Sequence, residues 1–527
     1  LARIWAEVLA VPAPGIDDNF FALGGDSILS LQVVARARDQ GLALSVQALF
    51  GRPTIRQLCE TPEPADNGET AARQAFSLIA EADRLRLPDD VIEALPMSRL
   101  QAGMLFHSEL SQNGAIFHDI FSFDLRLPWD ETAWRAAVRR LTERHAALRT
   151  TFHWNHYSEP LQLIHRDGDI PLKVVDLRAL DADAQSRALT DFVAAEKTRP
   201  FQPQHPPLLR LALFRLETGR ARLTLSFHHA ILDGWSVATL VTDLLRLARQ
   251  PESAGGSDAA GALSALFIEQ EKQAENDAEL KAAWRRRLAG VEASILPRLR
   301  AQPAAAGPRS VRRLSRMLPA ELSCSLDAAA ARLALPLKTV LLAAHLRVLA
   351  LLTGSAAAST GYVTHGRPER EDSAAALGLF LNTVPLSVEL RAGSWAQLAR
   401  RVFAEETALQ PLRRLPLAAI MQLNQGRRGF EVGFNYIHFH VYEQALRLPE
   451  VTVEGVEVFE ETDFPCLVQF SRDPRNQGLE LTLAWDEAEF DAEQIEDIAG
   501  YLRQALTALA ADPDADWLAA PLPSAEQ

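Results

Sequence analysis

Residues 221–236 read ARLTLSFHHAILDGWS. Arg222, Thr224 and Ser226 alternate with Leu223, Leu225 and Phe227, the period of a strand with one apolar face. From Ser236 the run SVATLVTDLLRLARQ (236–250) places apolar residues at helical spacing. The stretch is therefore strand, turn, helix, with His228, His229, Asp233 and Gly234 at the turn. Neighbouring strand side chains face opposite ways, so His228 and His229 do not converge on one ion, and no metal site is expected. Parity puts His229 with Leu223, Leu225 and Phe227, and His228 with Arg222, Thr224 and Ser226. A histidine at such a strand end is either a satisfied core residue or a poised base or hydrogen-bond partner. Ser236 reads as an N-cap for the helix.

The same alternation extends outward. FHDIFSFDLRL (117–127) reads as a strand, and ETAWRAAVRRLTERHAAL (131–148) as a helix with Trp134, Val138 and Leu141 in register. PESAGGSDAAGA (251–262) and AQPAAAGPRS (301–310) read as loops. A large α/β unit thus begins near Ile92, as two lobes meeting near residues 255–275. Upstream, residues 1–60 read as a small helical bundle, and TPEPADNGETAARQA (61–75) as a linker. In the bundle, Gly24-Gly25-Asp26 precedes Ser27, which opens a helix running to about Asp39. Ser27 reads as an N-cap or as the anchor of a phosphate, since a helix N-terminus offers free N–H groups to an anion.

The chain has 527 residues, enough for roughly two to four domains. Lys plus Arg number 54 and Asp plus Glu 68, a formal charge of −14. This argues against nucleic acid or an anionic membrane as partner. Three scattered cysteines (Cys59, Cys324, Cys466) form no CxxC pair and fit a reducing cytoplasm. The N-terminus carries no secretory signal and reads as a helix entered part-way, as if cut from something longer. The most apolar stretch, Val340 to Leu352, is interrupted by His345 and Arg347 and is too short to span a bilayer.

From IWAEVL through DDNFFALGGDSILSLQVVARAR to PTIRQL, residues 1–60 resemble a peptidyl carrier protein of nonribosomal peptide synthetases. The resemblance implies a four-helix carrier bundle. It also implies a 4′-phosphopantetheine attached to Ser27, with Asp26 beside it in the cofactor-binding loop. Residues 92–520 resemble a condensation domain of the same systems. SFHHAILDGWS carries its HHxxxDG signature. LPMSRLQAGMLFH (95–107), RHAALRTTF (144–152), GYVTHGRP (361–368) and LGLFLNTVPLSV (377–388) follow in the family's order. Two later motifs depart: QPLRRLP (410–416) replaces a His-Gln-Asp run, and GFNYIHFH (433–440) matches in part.

The resemblance implies two chloramphenicol-acetyltransferase-like α/β lobes in a V, residues 92–268 and 269–527, after a carrier at 1–60 and a linker at 61–91. It implies amide formation between a donor thioester on the linked carrier and the amine of an aminoacyl group on a downstream acceptor carrier. His229 is the residue expected nearest the amine, as base or as hydrogen-bond partner, and Gly234 N–H is expected to face the oxyanion. Asp233 is expected to pair with Arg367 and to be structural, as is His228. Asn382 reads as a pocket or hinge group, or as a strand-end hydrogen bond. Adenylation domains of the same assembly line and a phosphopantetheinyl transferase are the further implied partners. PMSRLQAGMLFH and the GGDS loop resemble domains and carriers that handle a D-configured donor. The rivals are an epimerisation domain, which the order Trp235-Ser236-Val237 does not match, and a non-catalytic carrier-binding platform, which usually lacks the second histidine. Ester formation with a hydroxyl acceptor is a further enzymatic reading.

Overall fold

The computed structural model describes residues 1–60, 74–110, 116–252, 258, 261–299, 310–438, 442, 446, 448–460 and 462–519. Most of the loops expected at 251–262 and 301–310, and most of the linker expected at 61–75, lie outside these residues.

The N-terminal unit is all-α: α1 (Ala2–Leu9), α2 (Ser27–Asp39), α3 (Val46–Gly51) and α4 (Ile55–Glu60). Its core is built on Ile4, Trp5, Phe20, Val33, Val34 and Leu49, with Trp5 and Phe20 edge to face at 5.1 Å. The loop before α2 needs both its glycines. Gly24 has φ 93°, and a Cβ on Gly25 would lie 2.6 Å from the Phe20 carbonyl oxygen. Asp26, not Ser27, caps α2: its Oδ1 accepts from the Leu29 N–H at 2.8 Å. Ser27 is therefore the first helical residue rather than the cap.

The rest of the chain carries two large sheets, each covered by helices. In one, β12 (Thr452–Phe459), β2 (His118–Arg126), β7 (Arg220–His228), β6 (Leu209–Glu217) and β5 (Leu172–Asp176) lie in that order. Helices Glu131–Arg144 and Gly234–Arg249 bury Trp134, Val138, Leu141, Val237, Leu240 and Leu244 in its core. The other sheet runs β10 (Leu381–Glu389), β9 (Ala357–His365), β11 (Val432–Ile437), β13 (Cys466–Arg472), β14 (Leu479–Asp486), β8 (Val311–Met317). Helices Ala320–Leu333, Leu337–Thr353, Trp395–Leu409 and Ala492–Ala511 share its core. A small sheet of β1 (Val91–Pro96), β4 (Leu161–His165) and β3 (Thr150–His153) flanks the first lobe. The molecule is thus a helical bundle followed by two α/β lobes.

Two features of the packing are instructive. The two lobes are joined by a strand, because β12 crosses from the second lobe and pairs antiparallel with β2 in the first. Arg222 secures it, bridging Asp124 at 2.7 Å and Glu457 at 2.9 Å. A strand's partner is set by tertiary packing, which local periodicity does not encode. The segment before β1 is also not all linker: Phe76, Ile79 and Leu87 pack against Val91 and Leu161. No single helix among the described residues is long and apolar enough to cross a membrane. The apolar run Val340 to Leu352 is a core helix, with His345 hydrogen-bonded to Thr360 at 3.0 Å.

The bundle rests on the second lobe. Phe403 packs against Phe21 and Phe50, with ring centroids 5.3 and 6.2 Å away. Arg38 pairs with Glu369 at 2.9 Å, and His438 lies 3.7 Å from Asp26.

Candidate active site between the lobes

β7 ends at His228, and the chain then turns through a short 3₁₀ segment, His229–Ile231. Strand parity therefore stops one residue before His229. Both faces of β7 are buried near its end, Ser226 and His228 as fully as Leu225 and Phe227. The expected split into an apolar and a polar side is absent because β7 is a central strand covered on both faces.

The two histidines do different things. His228 is satisfied at both nitrogens. Its Nδ1 accepts from the Ala230 N–H at 3.1 Å, and Ser108 Oγ lies 3.2 Å from Nε2. Burial, with the neighbouring His229 and His118 adding, lowers its pKa to about 3, so it is neutral. His229 lines the cavity between the lobes, and its Nδ1 lies 2.8 Å from Asp119 Oδ2. The contact is short but not collinear, so charge carries it more than hydrogen-bond alignment. Burial pulls the His229 pKa down, but Asp119, helped by Glu460 and Asp233, outweighs it and the net shift is upward.

Asp233 caps helix Gly234–Arg249, accepting from the Ser236 N–H at 2.7 Å. The cap is Asp233 rather than Ser236, because a cap must precede the first helical residue. Arg367 Nη2 donates to Asp233 Oδ1 and to Ser236 Oγ, both at 2.8 Å. Phe380 N–H donates to Asp233 Oδ2 at 3.1 Å. Arg367 and Asp233 are each about 1% exposed. This network ties the HHxxxDG turn of one lobe to residues 367–380 of the other. Asp233→Ala is expected to strand the Arg367 charge and cost about 3–5 kcal/mol. The urea midpoint of the large unit should fall accordingly; an unchanged midpoint would remove the tie's structural role.

Gly234 opens the helix and lines the cavity, so its N–H belongs to the first turn, where no intrahelical acceptor exists. Asn382 clamps the 413–417 loop. Its Nδ2 donates to the Arg413 and Leu415 carbonyls at 2.8 Å, and its Oδ1 accepts from Leu417 N–H at 3.2 Å.

Asp119 was missed in the sequence. The available signal is its position in FHDIFSFDL: it shares strand parity with Phe117, Phe121, Phe123 and Leu125, so a carboxylate interrupts an apolar face. A buried carboxylate demands a partner. The register sets Asp119 opposite Phe227, two residues before His229.

The cavity has a volume of about 790 Å³, within the range of small-molecule sites. Gly24, Gly25 and Asp26 line it at the bundle, and His229, Asp119 and Gly234 line it between the lobes. The loop before α2 thus borders the same space as the imidazole. The side-chain-free glycine loop and the α2 N-terminus fit a phosphate-bearing arm there.

Comparison with known proteins agrees with this architecture. The family described as Condensation domain matches residues 91–526, and the family described as Phosphopantetheine attachment site matches residues 1–61. The chain is 36% identical over 539 aligned residues to AMB antimetabolite synthetase AmbE of Pseudomonas aeruginosa, covering 97% of this chain and 24% of that protein. It is 28% identical over 531 aligned residues to malpibaldin synthetase of Mortierella alpina, covering 97% of this chain and 9% of that one. The chain thus spans a quarter or less of these curated relatives. Among solved structures, the condensation domain of the monacolin K polyketide synthase MokA superposes with a TM-score of 0.69 at 15% identity, over 81% of this chain and 100% of that one. The first condensation domain of the calcium-dependent antibiotic synthetase, in complex with a substrate analogue, gives 0.67 at 18% identity, over 81% and 99%. A bundle with a phosphopantetheine attachment site, seated beside two lobes that share an HHxxxDG turn, therefore belongs to the nonribosomal peptide synthetases as a carrier domain joined to a member of the condensation-domain family.

Proposed function

We propose that the chain joins a donor acyl group held on its own carrier to the amine of an aminoacyl group on a downstream carrier. The observation that carries this reading is the single cavity bordered both by the loop before α2 and by His229. A phosphopantetheine on Ser27 would supply the thiol that holds the donor as a thioester and that leaves, reprotonated, when the C–S bond breaks as the amide forms. Nε2 of His229 takes or holds the proton of the incoming amine, and Gly234 N–H faces the acyl oxygen as it gains charge. Arg367 and Asp233 keep the turn that presents both groups in place. The chemistry asks mainly for alignment, which a shared cavity and two tethers provide. His228 is structural in this reading.

The partners are an acceptor carrier, adenylation domains of the same assembly line and a phosphopantetheinyl transferase, in a reducing cytoplasm that suits three free cysteines. The PMSRLQAGMLFH and GGDS runs favour a donor ending in a D-residue.

The test is to load the chain with matched L- and D-aminoacyl pantetheine and add an aminoacyl acceptor carrier. The expected result is a dipeptidyl mass on the acceptor carrier, in higher yield from the D-donor. An inverted α-carbon with no dipeptide would instead identify an epimerase.

A further inference from the structure

We propose that Asp119 is a positioning residue for the reaction: it keeps the His229 proton on Nδ1, so that Nε2 faces the cavity as the base. The inference rests on the amide-forming reading above and deepens it. At 2.8 Å from a carboxylate oxygen, Nδ1 is stable as an N–H and unstable as a lone pair, because two electron-rich atoms would otherwise face each other. The neutral ring then carries its lone pair on Nε2. When Nε2 accepts a proton from the amine, the positive ring lies against a negative partner that is itself buried, with a side chain 4% exposed.

The surroundings isolate this pair. His118, also on β2, is committed to Ser226 at 2.7 Å. His228 is neutral and held at both nitrogens. Asp233 is committed to Arg367. Glu460, just beyond β12, lies 3.4 Å from Arg313, and burial together with the Asp119 charge raises its pKa. Arg99 and His107, on helix Arg99–Leu110, line the same cavity. Among these groups only Asp119 makes an ion-pair contact with the His229 ring. Asp119 also reaches this position through the unbroken β2–β7 register from His118 to Arg126.

The experiment uses the full chain with ¹³C,¹⁵N-labelled histidine. The His229 signals are identified by their loss in His229→Ala. The expected result in the unsubstituted chain is a neutral His229 in the Nδ1–H form that titrates above an ordinary histidine. In Asp119→Asn the titration should fall by about one pH unit or more, and the preference for the Nδ1–H form should weaken. Asp119→Glu should restore part of both. In the condensation assay the base form would then persist to lower pH. The acidic limb of the rate profile should shift downward with the titration, while the maximal rate drops roughly ten-fold or more. A neutral Nε2–H form in the unsubstituted chain would overturn the proposal whether or not the variants fold. So would an unchanged titration in folded Asp119→Asn. Because the spectra need no turnover, a chain that showed the tautomer and the shift but made no amide would refute the reaction reading and leave the positioning role standing.

Discussion

Ser27→Ala is expected to keep the chain at its unmodified mass after incubation with coenzyme A and a phosphopantetheinyl transferase, while the unsubstituted chain gains one arm. The effect is all-or-none, because the attachment needs a hydroxyl and alanine has none. The fold should not notice. Asp26 caps α2, so the helix keeps its start, and alanine is the best helix former, leaving a change within about 0.5 kcal/mol. Intact-protein mass spectrometry decides the matter in one measurement. A mass gain in the alanine variant would move the attachment site elsewhere and break the link between the bundle and the cavity. Unaltered thermal unfolding of the variant would show that the lost mass reflects chemistry and not misfolding.

The second large effect is at the imidazole. His229→Ala should reduce amide formation by about 10²–10⁴-fold, the usual scale for removing a positioned acid–base group. Loading of Ser27 should proceed as before, since the α2 N-terminus is untouched. Stability should change little. The His229 side chain is 19% exposed and faces a cavity rather than packed core, and its backbone N–H keeps its bond to the Phe117 carbonyl at 2.8 Å. Equal dipeptide yields from the variant and the parent would end the assignment of His229 as the residue at the amine, without touching the family. The contrast with His228 sharpens the test. That ring is 3% exposed and bonded at both nitrogens, so its loss should appear first in the urea midpoint.

Much of the architecture is written in local sequence. Trp134, Val138 and Leu141 recur at helical spacing, and helix Glu131–Arg144 buries all three. Leu223, Leu225 and Phe227 alternate, and β7 buries them. The GGDS loop and the HHxxxDG turn were readable because each is a short run whose chemistry depends on neighbours in the chain. What the sequence concealed involves distant partners. Asp119 meets His229 only because β2 lies beside β7, and β12 joins that sheet from more than 300 residues away. Strand parity also misled at His229, since nothing local marks where a strand gives way to a 3₁₀ turn.

By itself, then, the sequence determined the kinds of elements, the order of the two units and the short runs that hold the candidate residues, because hydrophobic period, capping and turn residues act over a few positions. Only the tertiary structure decided that the glycine loop of the bundle and the imidazole between the lobes share one cavity, and that a buried carboxylate backs that imidazole. Both depend on the pairing and packing of surfaces far apart in the chain, whose free energy is gained only when the whole chain has collapsed around them.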